Sequence, residues 1–177
     1  MQRYSGSLLA TLDWHINRNN HLAVSYSLLD ARAEEYGNSL TSFTFRGSGY
    51  ANYSTAHHLT ATLESRLSER VHNSLRVGFS RVGDGREPDV EGRYPSVIVK
   101  NAGLDGNVTV NIGNNRYAGV NSLSQNIVTL TDDVVWENHA HSLTFGMHHE
   151  FYNIHNCYLA NAYGTYTYNS VEDFERD

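Results

Sequence analysis

A period of two governs this chain. From Gly6 to Ile16 the even positions read Leu8, Ala10, Leu12, Trp14 and Ile16, while the odd positions include Ser7, Thr11, Asp13 and His15, with Leu9 the one apolar intruder. Successive side chains of a strand point to opposite faces, so this alternation specifies a strand with one apolar and one polar side. After the polar turn Asn17, Arg18, Asn19, Asn20 it resumes as Leu22, Val24, Tyr26 and Leu28 against Ala23, Ser25 and Ser27, which predicts a hairpin. The same unit recurs without repeating its residues. Leu59, Ala61 and Leu63 turn near Ser68 to Arg70 into Leu75, Val77 and Phe79. Val128, Leu130, Val134 and Trp136 turn at Glu137 to Ala140 into Leu143, Phe145 and Met147. Asp132 falls on the apolar row of this third hairpin and Val135 on the polar row, which makes its register the least secure.

The hairpins are placed near 5–30, 50–82 and 121–152, with long loops at 30–50, 82–120 and 153–177 that are rich in Gly, Asn, Ser, Tyr and charge. The expected strands run about ten residues, beyond the roughly five to six usual in globular sheets and matching the roughly 9 to 11 that cross a bilayer at a tilt. Short turns at one end, long loops at the other and an alternating apolar face form the pattern of a membrane barrel. The chain is therefore expected to be all-β: an antiparallel transmembrane β-barrel segment of about six long strands in three hairpins, a meander. Its lipid-facing residues are expected to be Leu8, Leu12, Trp14, Leu22, Val24, Tyr26, Leu59, Leu63, Leu75, Val77, Phe79, Trp136, Leu143 and Phe145. Trp14 and Trp136 precede short turns, and Tyr50, Tyr53, Tyr152 and Tyr158 lie near the long loops, as two aromatic girdles would. A soluble β-sandwich shows the same alternation, and only strand length and loop asymmetry separate the two.

Composition narrows the function classes. The chain of 177 residues has 12 Tyr, 2 Pro and a single Lys, Lys100, which favours strands over helices. No apolar run is long enough for a transmembrane helix. The net charge of -6, with its basic residues scattered, offers no phosphate-tracking stripe, so no nucleic-acid partner is expected. The single Cys157 excludes an internal disulfide framework and a zinc site of several cysteines. Gln2 and Arg3 lead directly into a strand pattern, so the signal of an exported protein would lie outside this sequence.

The chemical motifs have plain structural readings. His139 and His141 stand two apart as metal ligands could, but Asn138 to Ala140 reads as a turn. The pairs His57-His58 and His148-His149 point to opposite sides of a strand and cannot chelate one ion. Glu64 and Arg76 share the polar row, where an ion pair facing the lumen is expected rather than an acid/base couple. Asp84 to Asp89 and Asp105 to Asn107 lack the regular carboxylate spacing of a calcium loop, and the sequons at Asn52 and Asn107 read as coincidence. No catalytic constellation stands out, so neither an enzyme nor a cofactor is expected.

The stretch Thr129-Leu130-Thr131-Asp132-Asp133-Val134-Val135-Trp136, followed by Asn138-His139-Ala140-His141-Ser142-Leu143-Thr144-Phe145-Gly146, closely resembles a strand and turn of TonB-dependent outer-membrane receptors that reads "LTDNLTW" and then "GNHTFTFG". Glu150-Phe151-Tyr152, Asn156, Tyr163 to Ser170 and Glu172-Asp173-Phe174 are similar to that family's "EFY…N…YGSYTFNSLEDF", and Tyr94-Pro95-Ser96-Val97 also fits. The nearest subgroup is the Oar-like receptors with a carboxypeptidase-regulatory-like extension. The resemblance covers most of the chain, most strongly from Gln125 onward. It implies a bacterial outer-membrane receptor of about 22 strands, plugged by an N-terminal domain and importing a nutrient. The partners it implies are outer-membrane lipid, the rest of the barrel and its plug, the TonB system through the N-terminal part, and a nutrient ligand. Plug, energy-coupling segment and terminal aromatic strand are missing here, so the chain 1–177 is expected to be an excerpt of the barrel wall. Two rival readings remain: a soluble β-sandwich that binds glycans through Tyr166 and Tyr168, and a smaller outer-membrane barrel or adhesin.

Overall fold

The computed structural model describes residues 2–177. Its strands are β1 (Arg3–Asn17), β2 (Asn20–Glu35), β3 (Ser42–Thr44), β4 (Tyr50–Arg66), β5 (Val71–Pro88), β6 (Ser96–Ala102), β7 (Val108–Gly113), β8 (Asn121–Asn138), β9 (His141–Tyr158) and β10 (Thr165–Tyr168), followed by the short helix α1 (Val171–Glu175). The six long strands form one antiparallel sheet in the order β1-β2-β4-β5-β8-β9. Only neighbours in sequence pair within it, once the short strands are set aside. Because the strands alternate in direction, the turns β1-β2, β4-β5 and β8-β9 all fall at one end.

Each turn is built by its own polar residues. Asn17 Oδ1 accepts from the Asn19 backbone N–H at 2.8 Å and from Asn20 Nδ2 at 3.0 Å, an Asx-type closure that releases Arg18 and Asn19 from the ladder. A bulge between His15 and Asn17 tightens that end of β1. The Leu67 N–H donates to Val71 O at 2.9 Å across the second turn. His139 takes a left-handed φ of 49° in the third, a conformation that His tolerates better than most side chains.

The long strands run 15 to 18 residues rather than about ten. Residues 30–35, 83–88 and 153–158, expected in loops, are strand. Side-chain patterning marks only where a face is apolar, whereas backbone N–H and C=O groups gain by pairing for as long as a neighbour runs alongside.

Parts of the remaining loops are strand as well. They form a second sheet, β10-β6-β7-β3, beyond the open end of the first. Here β6 and β7 are antiparallel, whereas β10 lies parallel to β6 and β3 parallel to β7. Its two faces differ. Val97, Val99, Val110, Ile112 and Phe43 alternate with Ser96, Ile98, Lys100, Thr109, Asn111, Ser42 and Thr44. Ser170 caps α1, its Oγ accepting from the Asp173 N–H at 3.1 Å.

The large sheet does not fold over a core of its own. The buried hydrophobic residues among those described are Ala51, Val99, Ala102 and Ala118, all small or in the loop region. β1 and β9 pair on one side only, which leaves two open edges.

Candidate functional site

Cross-strand register assembles the apolar rows into one surface. Trp14 pairs with Leu22, Leu22 with Leu63, and Leu63 with Leu75. The next row runs Leu12, Val24, Ala61, Val77, Leu130, and the one beyond it Ala10, Tyr26, Leu59, Phe79, Val128, Phe151. Leu8 joins through Leu28, Trp136 lies opposite Leu143, and Phe145 opposite Val134. Every expected lipid-facing residue thus lies on a single face. Leu12, Trp14 and Phe145 remain 61%, 55% and 64% exposed, so nothing among the described residues covers them.

That band has an upper limit and a flaw. The row that begins with Leu8 and Leu28 turns polar at His57, Arg81, Asn126 and Asn153 and ends it on the loop side, and Thr55, Gly83, Ser124 and His155 continue the face as a polar surface. Inside the band stands Asp132, between Leu75 and Met147, its Oδ1 accepting from Asn73 Nδ2 at 2.5 Å. The expected loop-side tyrosine girdle is not assembled on this face. Tyr53 shares it, but Tyr50, Tyr152 and Tyr158 have the other parity and fall on the opposite side, because an odd offset along a strand reverses the face.

The opposite face is polar across most of its width. Near the turns, the His15 and His21 rings stack with centroids 4.6 Å apart, and His21 Nε2 is 3.3 Å from Asp13 Oδ1. Farther along, Thr131 Oγ1 meets His148 Nδ1 at 2.7 Å, and Glu150 lies between His148 and Tyr152. The expected Glu64–Arg76 pair does not form. Register does make them diagonal neighbours, but Arg76 Nε donates to Thr62 Oγ1 at 3.4 Å, and Glu64 lies 3.8 Å from His21 Nδ1. His139 lies in its turn against Asn138 Oδ1, away from the strand position that a ligand pair with His141 requires. No group of three metal-ligating side chains converges among the described residues.

Where the polar face reaches the loop end it opens into a cleft of about 640 Å³. One wall is the end of β2 and the start of β4, with Glu35, Tyr36 and Tyr50, and the other is the polar face of the loop sheet. Burial, then Asp89 and Glu34, hold the Tyr36 phenol above its ordinary pKa of 10.0, so it is a neutral hydroxyl at physiological pH. The sequence reading passed over this cleft, because its residues come from two separate long loops, 35–50 and 96–117.

An apolar belt that ends at the turns on one side and at polar rows on the other, on a sheet without a core, calls for lipid. A family model described as an outer membrane β-barrel domain matches residues 2–175. The chain belongs to that family. No curated protein and no solved structure matches it. This outer membrane β-barrel domain is therefore an all-β membrane protein of the bacterial outer membrane. The family match and the absence of an internal core together displace the soluble sandwich reading.

Proposed function

We propose that this domain is part of the wall of a TonB-dependent receptor that imports a nutrient across the outer membrane, and that it acts as a carrier rather than as an enzyme. The observation that carries this reading is the open sheet. Its six strands fall short of the roughly eight in the smallest barrels, and β1 and β9 end it in 15- and 18-residue edges. An open edge is forbidden in lipid because each unpaired N–H or C=O there costs several kcal/mol. In this reading the edges pair with further strands of a longer chain, the apolar band faces lipid, and the polar face lines a lumen that holds the plug. The likeness of 129–146 and 150–174 to the receptor segments supports this reading over a smaller barrel or adhesin.

The test is genetic and uses the whole gene. Strains lacking the gene, or lacking TonB, are grown on a panel of single nutrients at limiting concentration. Both should lose growth on the same nutrient. A TonB-deficient strain that grows normally on the nutrient the gene deletion cannot use would overturn the import reading and leave the barrel assignment standing.

A further inference from the structure

The cleft at the loop end has a chemistry that identifies a ligand class. Its floor is the polar face of the loop sheet, where Ser42, Thr44, Thr109 and Asn111 sit side by side in register, and Ile98 is the one aliphatic residue in the lining. A wholly apolar ligand such as a lipid chain would leave the hydroxyls and carboxamides of that floor without partners. Lys100 and Arg116 stand against Glu35, which is too little net charge to select a polyanion. What the cleft does offer is hydroxyls and carboxamides, which donate and accept at once, together with the rings of Tyr36, Tyr50 and Tyr117.

Two of those rings are held in place. The Arg86 guanidinium lies 5.1 Å from the centroid of Tyr50, and that of Arg116 lies 4.5 Å from the centroid of Tyr117. A further group in the wall is unsatisfied. Asn114 is only 2% exposed, and its Nδ2 donates to Gly92 O at 2.9 Å, which fixes the amide orientation. Its Oδ1 is buried and has no hydrogen-bond partner among the described residues.

We propose that this cleft is a binding site for a neutral oligosaccharide, whose hydroxyls meet the amide and hydroxyl groups and whose ring faces stack on the tyrosines. A peptide fits less well. Peptides that bind by strand addition need a free edge, whereas β6 and β7, which form most of the floor, are each paired on both sides. The proposal deepens the import reading by naming the class of its cargo, and it is tested by binding alone, which needs no TonB.

The experiment uses the full-length receptor in detergent and calorimetric titration with malto-, cello-, xylo- and laminarihexaose, and with a glycine-serine hexapeptide. At least one hexasaccharide should bind saturably. Tyr117→Ala and Asn111→Ala should each weaken it by about tenfold or more, and Tyr117→Phe should stay within about twofold. Heat-modifiable mobility on gels confirms that each variant is folded, and Tyr117→Phe keeps the test valid should an alanine variant misfold. Binding of the hexapeptide alone, no saturable binding of any hexasaccharide, or saccharide binding indifferent to both alanine variants would overturn the proposal. Saccharide binding with TonB-independent growth would instead overturn the import reading and leave the cleft intact.

Discussion

Val77→Arg and Ser74→Arg place the same charge on opposite faces of one strand. Val77 lies in register between Ala61 and Leu130, with Leu75 and Phe79 on the same face two positions to either side. Trp136, opposite Val71, marks the turn-side limit of the band. Val77 therefore stands about six residues above that limit, or about 20 Å along the strand. A strand tilt of about 40° makes this about 15 Å of height, near the middle of an apolar belt about 25 Å tall. Arginine at that depth costs about 2 to 4 kcal/mol, a loss of about 30- to 700-fold in the folding equilibrium. Ser74 lies between Glu64 and Asp133 in register, so a guanidinium there meets a carboxylate on each side and contributes about 0 to 1 kcal/mol favourably. Both variants belong in the full-length receptor, refolded into phosphatidylcholine vesicles and titrated with urea while heat-modifiable mobility reports the folded fraction. The midpoint should fall for Val77→Arg and hold or rise for Ser74→Arg. Equal losses would refute the assignment of faces.

Replacing both members of the polar pair in the belt, as Asn73→Val with Asp132→Leu, should raise the same midpoint. Asn73→Ala alone should lower it through a stability loss of about 1 to 3 kcal/mol, because it leaves the carboxyl without its donor, and a double variant less stable than the wild type would place this pair away from lipid. Gly113 has a φ of 78°, and a Cβ there would come within 2.1 Å of Pro95 O. Gly113→Ala should therefore cost about 1 to 3 kcal/mol locally and open new tryptic cuts at Arg93, Lys100 or Arg116 in intact cells, whereas an unchanged digest would contradict the close approach. Cys157 lies near the loop end of β9, six residues past Phe151 by number and beyond the apolar band. A membrane-impermeant maleimide should label it in whole cells, and labelling only after the outer membrane is permeabilised would mean that the loops face inward.

The apolar face was legible because period two is a local property, and each row could be read without knowing its partner. Even the doubtful third hairpin followed its pattern: Asp132 stays on the apolar side opposite Leu75, and Val135 stays on the polar side opposite His72 and Thr144. What escaped the sequence was set by distant partners. β3 has 3 residues and β10 has 4, too few to show a period, and both pair in parallel with strands from other loops. The Val97–Val99 and Val108–Ile112 alternations were the available signal for β6 and β7, but they lay in a stretch dominated by Gly and Asn. The tyrosine girdle failed on parity, because nearness to a loop does not decide a face. The Glu64–Arg76 pair failed because each side chain had a closer partner than its diagonal neighbour.

The loop sheet also constrains when the domain can finish folding. Its contacts join residues far apart in the chain: Asn111 Nδ2 reaches Ser42 Oγ across 69 positions, and β10 must travel back to β6 from beyond the last hairpin. Closing a loop of that size costs about 2.5 kcal/mol more entropy than closing a four-residue turn. The hairpins can zip locally, but the cap cannot form until all three have been laid side by side and their loops delivered to the same side of the membrane. Assembly thus has a built-in order, with the wall first and the crown last.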